Sequence, residues 1–166
     1  MTLPDAEQLC TQLAAQIRPH LRPDSALVGI HSGGVWIAER LRALLGSEVA
    51  LGSIDISFYR DDYGSRGLHP HPQKSGIPFD VNGRHLILVD DVLYTGRTTR
   101  AALNELFDYG RPGCVELAVL VDRGERELPI CARYCAHTLS ESLPAGTRLS
   151  LVQDDAGHLR LESTSA

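Results

Sequence analysis

Two adjacent carboxylates, Asp90 and Asp91, close an apolar run at residues 86–89, and Thr95-Gly96-Arg97-Thr98-Thr99 follows four residues on. That order predicts a buried strand, an acid pair at its carboxyl end, a glycine turn and a helix N-terminus. Backbone N–H groups and the positive end of a helix dipole at such a turn suit a phosphate. An ionised aspartate only accepts hydrogen bonds, so the acid pair suits hydroxyls or a hydrated cation instead. One ligand meets both demands if it carries a phosphate at one end and a diol or metal beside it. A sugar phosphate is such a ligand.

The stretch Val89-Asp90-Asp91-Val92-Leu93-Tyr94-Thr95-Gly96-Arg97-Thr98-Thr99 resembles the phosphoribosyl pyrophosphate (PRPP) signature of type I phosphoribosyltransferases. The resemblance implies that Asp90 and Asp91 contact the ribose hydroxyls and that residues 95–99 hold the 5′-phosphate. It implies the same fold: α/β, a central, mainly parallel sheet flanked by helices, with a flexible lid loop and a C-terminal β-hairpin. Tyr59-Arg60-Asp61-Asp62, Gly110-Arg111-Pro112 and the run from Ala118 to Ile130, with Asp122-Arg123-Gly124 and Arg126-Glu127-Leu128-Pro129, narrow the resemblance. They are similar to the bifunctional pyrimidine-operon regulators that are also uracil phosphoribosyltransferases. Members of that group make UMP and pyrophosphate from uracil and PRPP with Mg2+, and some bind pyrimidine-operon mRNA. No direct protein ligand to the metal is implied; Asp90 or Asp91 would reach it through water. The base is expected beside Val121, Asp122 and Arg123. For Arg123 a salt bridge with Glu125 or Glu127 is the competing expectation. A homodimer or homotetramer is implied as well.

The surrounding elements must position these groups. Residues 4–18 read as a helix with an apolar stripe at Leu9, Leu13 and Ile17. Residues 26–30 read as a short apolar strand broken by His31-Ser32-Gly33-Gly34. A helix over 35–45 follows, with Gly46 as its C-cap. Strand, glycine loop and helix form a second phosphate-cradling candidate. The resemblance assigns pyrophosphate to Ser32, Gly33 and Gly34. Relatives carry a basic residue where Gly33 stands, so a direct side-chain contact to pyrophosphate is missing here. Alternation of Ile54, Ile56 and Phe58 with Asp55 and Ser57 predicts a half-buried strand over 49–59.

Residues 60–78 carry little apolar periodicity and much Gly, Pro and charge, the composition of a long functional loop. A lid there would exclude water from an oxocarbenium-like ribose centre, with Arg60, Arg66 and Lys74 bringing positive charge over pyrophosphate. Arg60 is accordingly expected in the catalytic set. Beyond the central motif, a helix is expected to run to Gly110, then a strand over 114–121, a weaker strand over 134–139, and a hairpin of 148–152 with 158–161. Three strands would then end in polar loops at His31, Asp90 and Asp122. Open parallel sheets bind ligands at the carboxyl ends of their strands, so the three loops can face one site.

The 166 residues suit a single domain over 1–166. No apolar run approaches the about 20 residues that span a membrane, and the first residues lack a basic n-region and apolar h-region. A cytoplasmic protein with free thiols is expected. The four cysteines show no C-x-x-C spacing, and Cys131, Cys135 and His137 lack a second ligand pair at a zinc-site spacing. The net charge of −5 argues against nucleic-acid binding through bulk charge, though not against a local patch built from Arg18, His20, Arg22, Arg133 and Arg148. Three readings stay open at this point: a uracil phosphoribosyltransferase, a UMP-sensing mRNA-binding attenuator with little or no turnover, and a transferase for another nucleobase.

Overall fold

The apolar runs assemble into one five-stranded sheet in the order β2-β1-β3-β4-β5, every neighbouring pair parallel. The strands are β1 (Ala26–Ile30), β2 (Ala50–Ile54), β3 (His85–Leu93), β4 (Cys114–Asp122) and β5 (Tyr134–Thr138). The computed structural model describes residues 2–57 and 76–165. Among these, three α-helices occur: α1 (Ala6–Ile17), α2 (Gly33–Leu45) and α3 (Arg97–Asp108). β6 (Thr147–Gln153) and β7 (Leu159–Ser165) form a separate antiparallel hairpin. This is the expected α/β architecture with its C-terminal hairpin.

Both faces of the sheet are covered, which is why β1 is buried along its whole length. On one face, Leu27, Ile87, Val89, Ala118 and Leu120 pack with Leu9, Leu13 and Ile17 of α1, Ile37 and Leu41 of α2, and Leu149, Leu151, Leu159 and Leu161 of the hairpin. On the other, Val28, Ile30, Leu86, Leu88 and Val119 pack with Ala102 and Leu106 of α3 and with Ile54 and Ile56. Strand order reverses between β1 and β3. A crevice opens at such a switch point, outside the carboxyl ends of the strands.

Several boundaries differ from the sequence expectation, each for a local reason. α1 begins after Asp5, whose carboxylate accepts the Gln8 N–H at 2.8 Å, so Pro4 precedes the cap rather than occupying the first turn. α2 begins at Gly33, two residues early, and takes the glycine pair into its first turn. β2 stops at Ile54 because Asp55 turns the chain, its Oδ1 accepting the Ser57 N–H at 2.9 Å. β3 does not end at the acid pair. It runs on to Leu93, with Asp90 beside Val119 and Val92 beside Val121. α3 stops at Asp108, short of Gly110, with Tyr109 as its C-cap. The hairpin strands are each longer than expected, joined through the turn at 154–157, where Asp154 Oδ1 accepts from Ala156 and His158 N–H at 2.9 Å each. Most of the proposed lid, including Arg60, Arg66, His69, His71 and Lys74, lies outside the described residues. Gly76, at its far end, exchanges both backbone hydrogen bonds with Ser53 at 2.8 and 2.9 Å.

Candidate active site

Continuation of β3 through the acid pair sets the direction of each carboxylate. Successive strand residues face opposite sides of a sheet. Asp91 therefore turns toward the face that carries α2 and the hairpin, and its Oδ2 accepts the Leu151 N–H of β6 at 3.1 Å. Its Oδ1 accepts the Val92 N–H at 3.0 Å. Asp90 is buried, 4% exposed, and its Oδ1 accepts the Asp91 N–H at 2.9 Å. Backbone donors thus hold both carboxylates, and the hairpin holds one of them.

The loop expected to hold phosphate follows directly. Gly96 adopts φ +94°, a left-handed conformation that lets the chain turn sharply into α3. Thr95 Oγ1 accepts the Arg97 N–H at 3.2 Å, and Thr99 is 3% exposed against the core. The N–H groups of the first turn of α3 and the hydroxyls of Thr95, Thr98 and Thr99 are thereby gathered at one end of the helix.

These groups line one cavity of about 370 Å³. Its walls hold Asp90, Asp91, Val92, Leu93, Tyr94, Thr95, Gly96, Thr98 and Thr99 on one side. Arg123 and the β6 residues Thr147, Arg148, Leu149 and Ser150 stand on the other. Two residues of the expected PRPP set stand outside this wall. Val89 is a core residue, and Arg97 turns outward to pair with Glu127 at 2.7 Å.

The glycine pair of α2 adjoins the acid pair without lining that cavity. A Cβ on Gly33 would stand 2.7 Å from Asp91 Oδ2, and one on Gly34 would stand 2.2 Å from the Val89 carbonyl oxygen. Glycine is required here because the helix start presses against the strand backbone. Ser32 is exposed at the helix N-cap, and the peptide bond before it is cis.

Of the three residues expected near the base, Arg123 alone reaches the wall. Val121 is wholly buried in the sheet, and Asp122 accepts from Arg126 at 2.6 Å and from the Gly124 N–H at 2.9 Å. Burial pulls the Asp122 carboxyl upward, but those donors outweigh it and hold it below the usual carboxylate range. Arg123 is 8% exposed. Its guanidinium carbon lies 3.8 Å from the centroid of the Tyr94 ring, and its terminal nitrogens donate to the Thr147 carbonyl at 3.0 Å and to Glu125 at 3.2 Å. The Glu125 salt bridge is therefore present, but on a buried arginine inside the cavity wall rather than on a surface one; Glu127 serves Arg97 instead. The Arg123 Nε is buried with no partner among the described residues.

Two contributors were missed in the sequence. Arg126 joins the loop after β4 to the phosphate loop, donating to the Tyr94 carbonyl at 2.7 Å and the Ile130 carbonyl at 2.9 Å as well as to Asp122. Its place in a charged run carried no signal of that role. β6 supplies four of the lining residues, and only its alternating pattern was legible. Arg148, grouped by sequence with an outer basic patch, lines the cavity instead.

Magnesium fits the donor set. Hard carboxylate oxygens suit it, and Mg2+ keeps several waters and binds through few protein groups. Each Asp90 or Asp91 oxygen that accepts one backbone N–H retains lone pairs for a hydroxyl or a metal-bound water. Bound there with its substrate, the ion would supply charge neutralisation for a leaving phosphate.

Buried Asp90, half-buried Asp91 and a helix-start loop line one crevice beside a glycine-led second helix, an arrangement that can accommodate a phosphorylated sugar. The chain belongs to the phosphoribosyltransferase family: the family described as the phosphoribosyl transferase domain matches residues 2–140. It is 52% identical over 146 residues to the protein described as Bifunctional protein PyrR in Pseudomonas paraeruginosa, covering 84% of this chain and 85% of that one. A second protein so described, from Pseudomonas savastanoi pv. phaseolicola, is 45% identical over 169 residues, 99% of this chain and 98% of its own. Among solved structures, a purine phosphoribosyltransferase from Pyrococcus horikoshii superposes with TM-score 0.64 at 25% identity, covering 86% and 87% of the two chains. A hypoxanthine-guanine phosphoribosyltransferase from Bacillus anthracis gives TM-score 0.65 at 21% identity over 84% of each, a likeness of fold. Phosphoribosyl transfer is the chemistry that family and cavity share. No helix among the described residues is long and apolar enough to cross a membrane.

Proposed function

We propose that this chain is a uracil phosphoribosyltransferase that makes UMP and pyrophosphate from uracil and PRPP with Mg2+. The observation that carries the reading is the union of Asp90, Asp91, Thr95, Gly96, Thr98 and Thr99 in one cavity. The N–H groups at the start of α3 bind the 5′-phosphate. Asp90 and Asp91, oriented by backbone donors, hold the ribose hydroxyls as the anomeric carbon gains positive charge. Preorganised charge of this kind is worth most where charge develops. The C1–O bond to pyrophosphate breaks, uracil N1 bonds to C1, and the N1 proton is released. The glycine-led start of α2 receives pyrophosphate, and Arg123 borders the base.

Uracil is favoured over a purine by the resemblance of residues 118–130 and by relatives described as Bifunctional protein PyrR. The purine-specific neighbours support the fold alone. We further infer a single domain over 1–166, cytoplasmic, assembling as a dimer or tetramer. Arg60 belongs to this reading on sequence alone.

Pyrophosphate release from PRPP and magnesium, measured with uracil, hypoxanthine and guanine in turn, tests it. Release with uracil only is expected. Release with a purine and not uracil would reassign the substrate, and release with none would favour the second reading, an attenuator that senses UMP and binds pyrimidine-operon mRNA. That second reading draws on the word bifunctional in the relatives' description.

A further inference from the structure

The end of the sheet opposite the cavity holds a polar cluster that phosphoribosyl transfer does not use. His85 opens β3 and lies 1% exposed. In the parallel register Cys114 stands beside it on β4, and Glu116, two residues further along, shares the same face. A His85 ring nitrogen, the Cys114 Sγ and a Glu116 carboxylate oxygen all lie within 4.8 Å of one another. We propose that these three atoms form a binding site for a zinc-class divalent ion.

The geometry fits such an ion. Zinc bonds sulfur at about 2.3 Å and nitrogen or oxygen at about 2.0–2.2 Å, so tetrahedral ligand atoms stand roughly 3.3–3.6 Å apart. His85 Nε2 and Glu116 Oε2 hydrogen-bond at 2.9 Å, a contact the ion would replace, and no two of the three ligand atoms lie more than 4.8 Å apart. Thiolate and imidazole together select the zinc class over magnesium or calcium.

Orienting groups are in place too. His85 Nδ1 lies 2.7 Å from Ser25 Oγ, which itself accepts the Arg22 N–H at 2.8 Å. The Tyr134 hydroxyl donates to Glu116 Oε2 at 2.8 Å, and Arg133 stands 3.8 Å from the other oxygen. Partners of this kind fix a ligand's tautomer and ring orientation. Cys114 and Glu116 are half-buried and leave the approach open, so water can take a fourth position. Asp90 lies five residues along β3, about 16 Å away at the rise of a strand. The ion would therefore clamp β3 to β4 without touching the cavity. Cys131, Cys135 and His137 take no part: Cys131 is exposed, and Cys135 Sγ donates to the His137 carbonyl at 3.3 Å.

The test uses the metal-free full-length protein. Added Co2+ should give a sulfur-to-cobalt charge-transfer band, added Zn2+ should raise Tm, and excess Mg2+ should reverse neither. Cys114→Ser should abolish the band and weaken Zn2+ binding by about tenfold or more, and Glu116→Gln should weaken it with the band retained. His85 is buried, so its substitution is left aside as a threat to folding. Absence of the band in the unaltered protein overturns the proposal. So does a band of equal strength in Cys114→Ser, which would place the metal on another thiol.

Discussion

Asp90 and Asp91 differ in what holds them. Asp90 is buried within β3, whereas Asp91 accepts one N–H from its own strand and one from the hairpin. Asp90→Asn and Asp91→Asn should each raise the barrier by about 2–4 kcal/mol, the scale of one preorganised electrostatic contact. Steady-state kinetics beside a melting curve reads this; near-normal kcat/KM in both variants would remove the acid pair from the mechanism. Gly34 invites a different change. Its Cβ position lies 2.2 Å from the Val89 carbonyl oxygen, which belongs to backbone and cannot rotate away. Gly34→Ala should cost at least about 1–3 kcal/mol of stability, as overpacking does, and a denaturant midpoint would show it. At this scale the sequence was legible where residue type determines chemistry: acids for hydroxyls, small residues for a phosphate. It was silent on Arg126 and on the β6 side of the cavity, because those contacts depend on long-range packing that no local pattern encodes.

Among the elements, the hairpin is the one whose function the sequence did not reveal. Its strands were recognisable from alternation and the Asp-Asp-Ala-Gly turn, but nothing local said which body it would cover. Glu7 of α1 anchors it. Its carboxylate pairs with Arg40 of α2 at 3.1 Å and accepts the Leu159 N–H at 3.0 Å, while Arg40 also donates to the Gly157 carbonyl. Burial pushes the Glu7 carboxyl upward, but Arg40 and the Leu159 amide outweigh it and hold it below its ordinary 4.5. A lowered folded pKa means stability that is present above the unfolded value and lost as pH falls through the folded one. Hairpin docking should therefore weaken below about pH 4.5. Glu7→Gln should flatten the acid limb of the Tm-versus-pH curve. The loss is expected to be under about 1 kcal/mol because the pair is about one-third exposed. An acid limb unchanged in the variant would show that other carboxylates, such as Glu116 and Asp122, carry it. The ends of β2 and β3 depart from expectation for different reasons: the Asp55 turn takes the chain out of β2 before the alternation runs out, whereas the ladder with β4 carries β3 past its acid pair.

Taken whole, the molecule carries net charge −5, and several arginines among the described residues are engaged. Arg18 donates to the Leu44 carbonyl at 2.8 Å, Arg133 faces Glu116, and Arg148 belongs to the cavity. RNA binding should accordingly be weak and steep in salt. Neutralising about three phosphates, at a slope of about −0.7 each, predicts a loss of roughly ten- to twentyfold between about 50 and about 200 mM salt. Filter binding with pyrimidine-operon leader RNA, with and without UMP, measures it. Tight, UMP-enhanced binding that survives the higher salt would move the regulator reading ahead of the enzyme. The bond from Leu151 to Asp91 has a consequence in time as well as space. A ribosome releases residue 151 sixty residues after residue 91. The loop at 95–99 is made long before the amide that aims the second carboxylate, so on the proposed function a nascent chain should stay inactive until the hairpin emerges and docks.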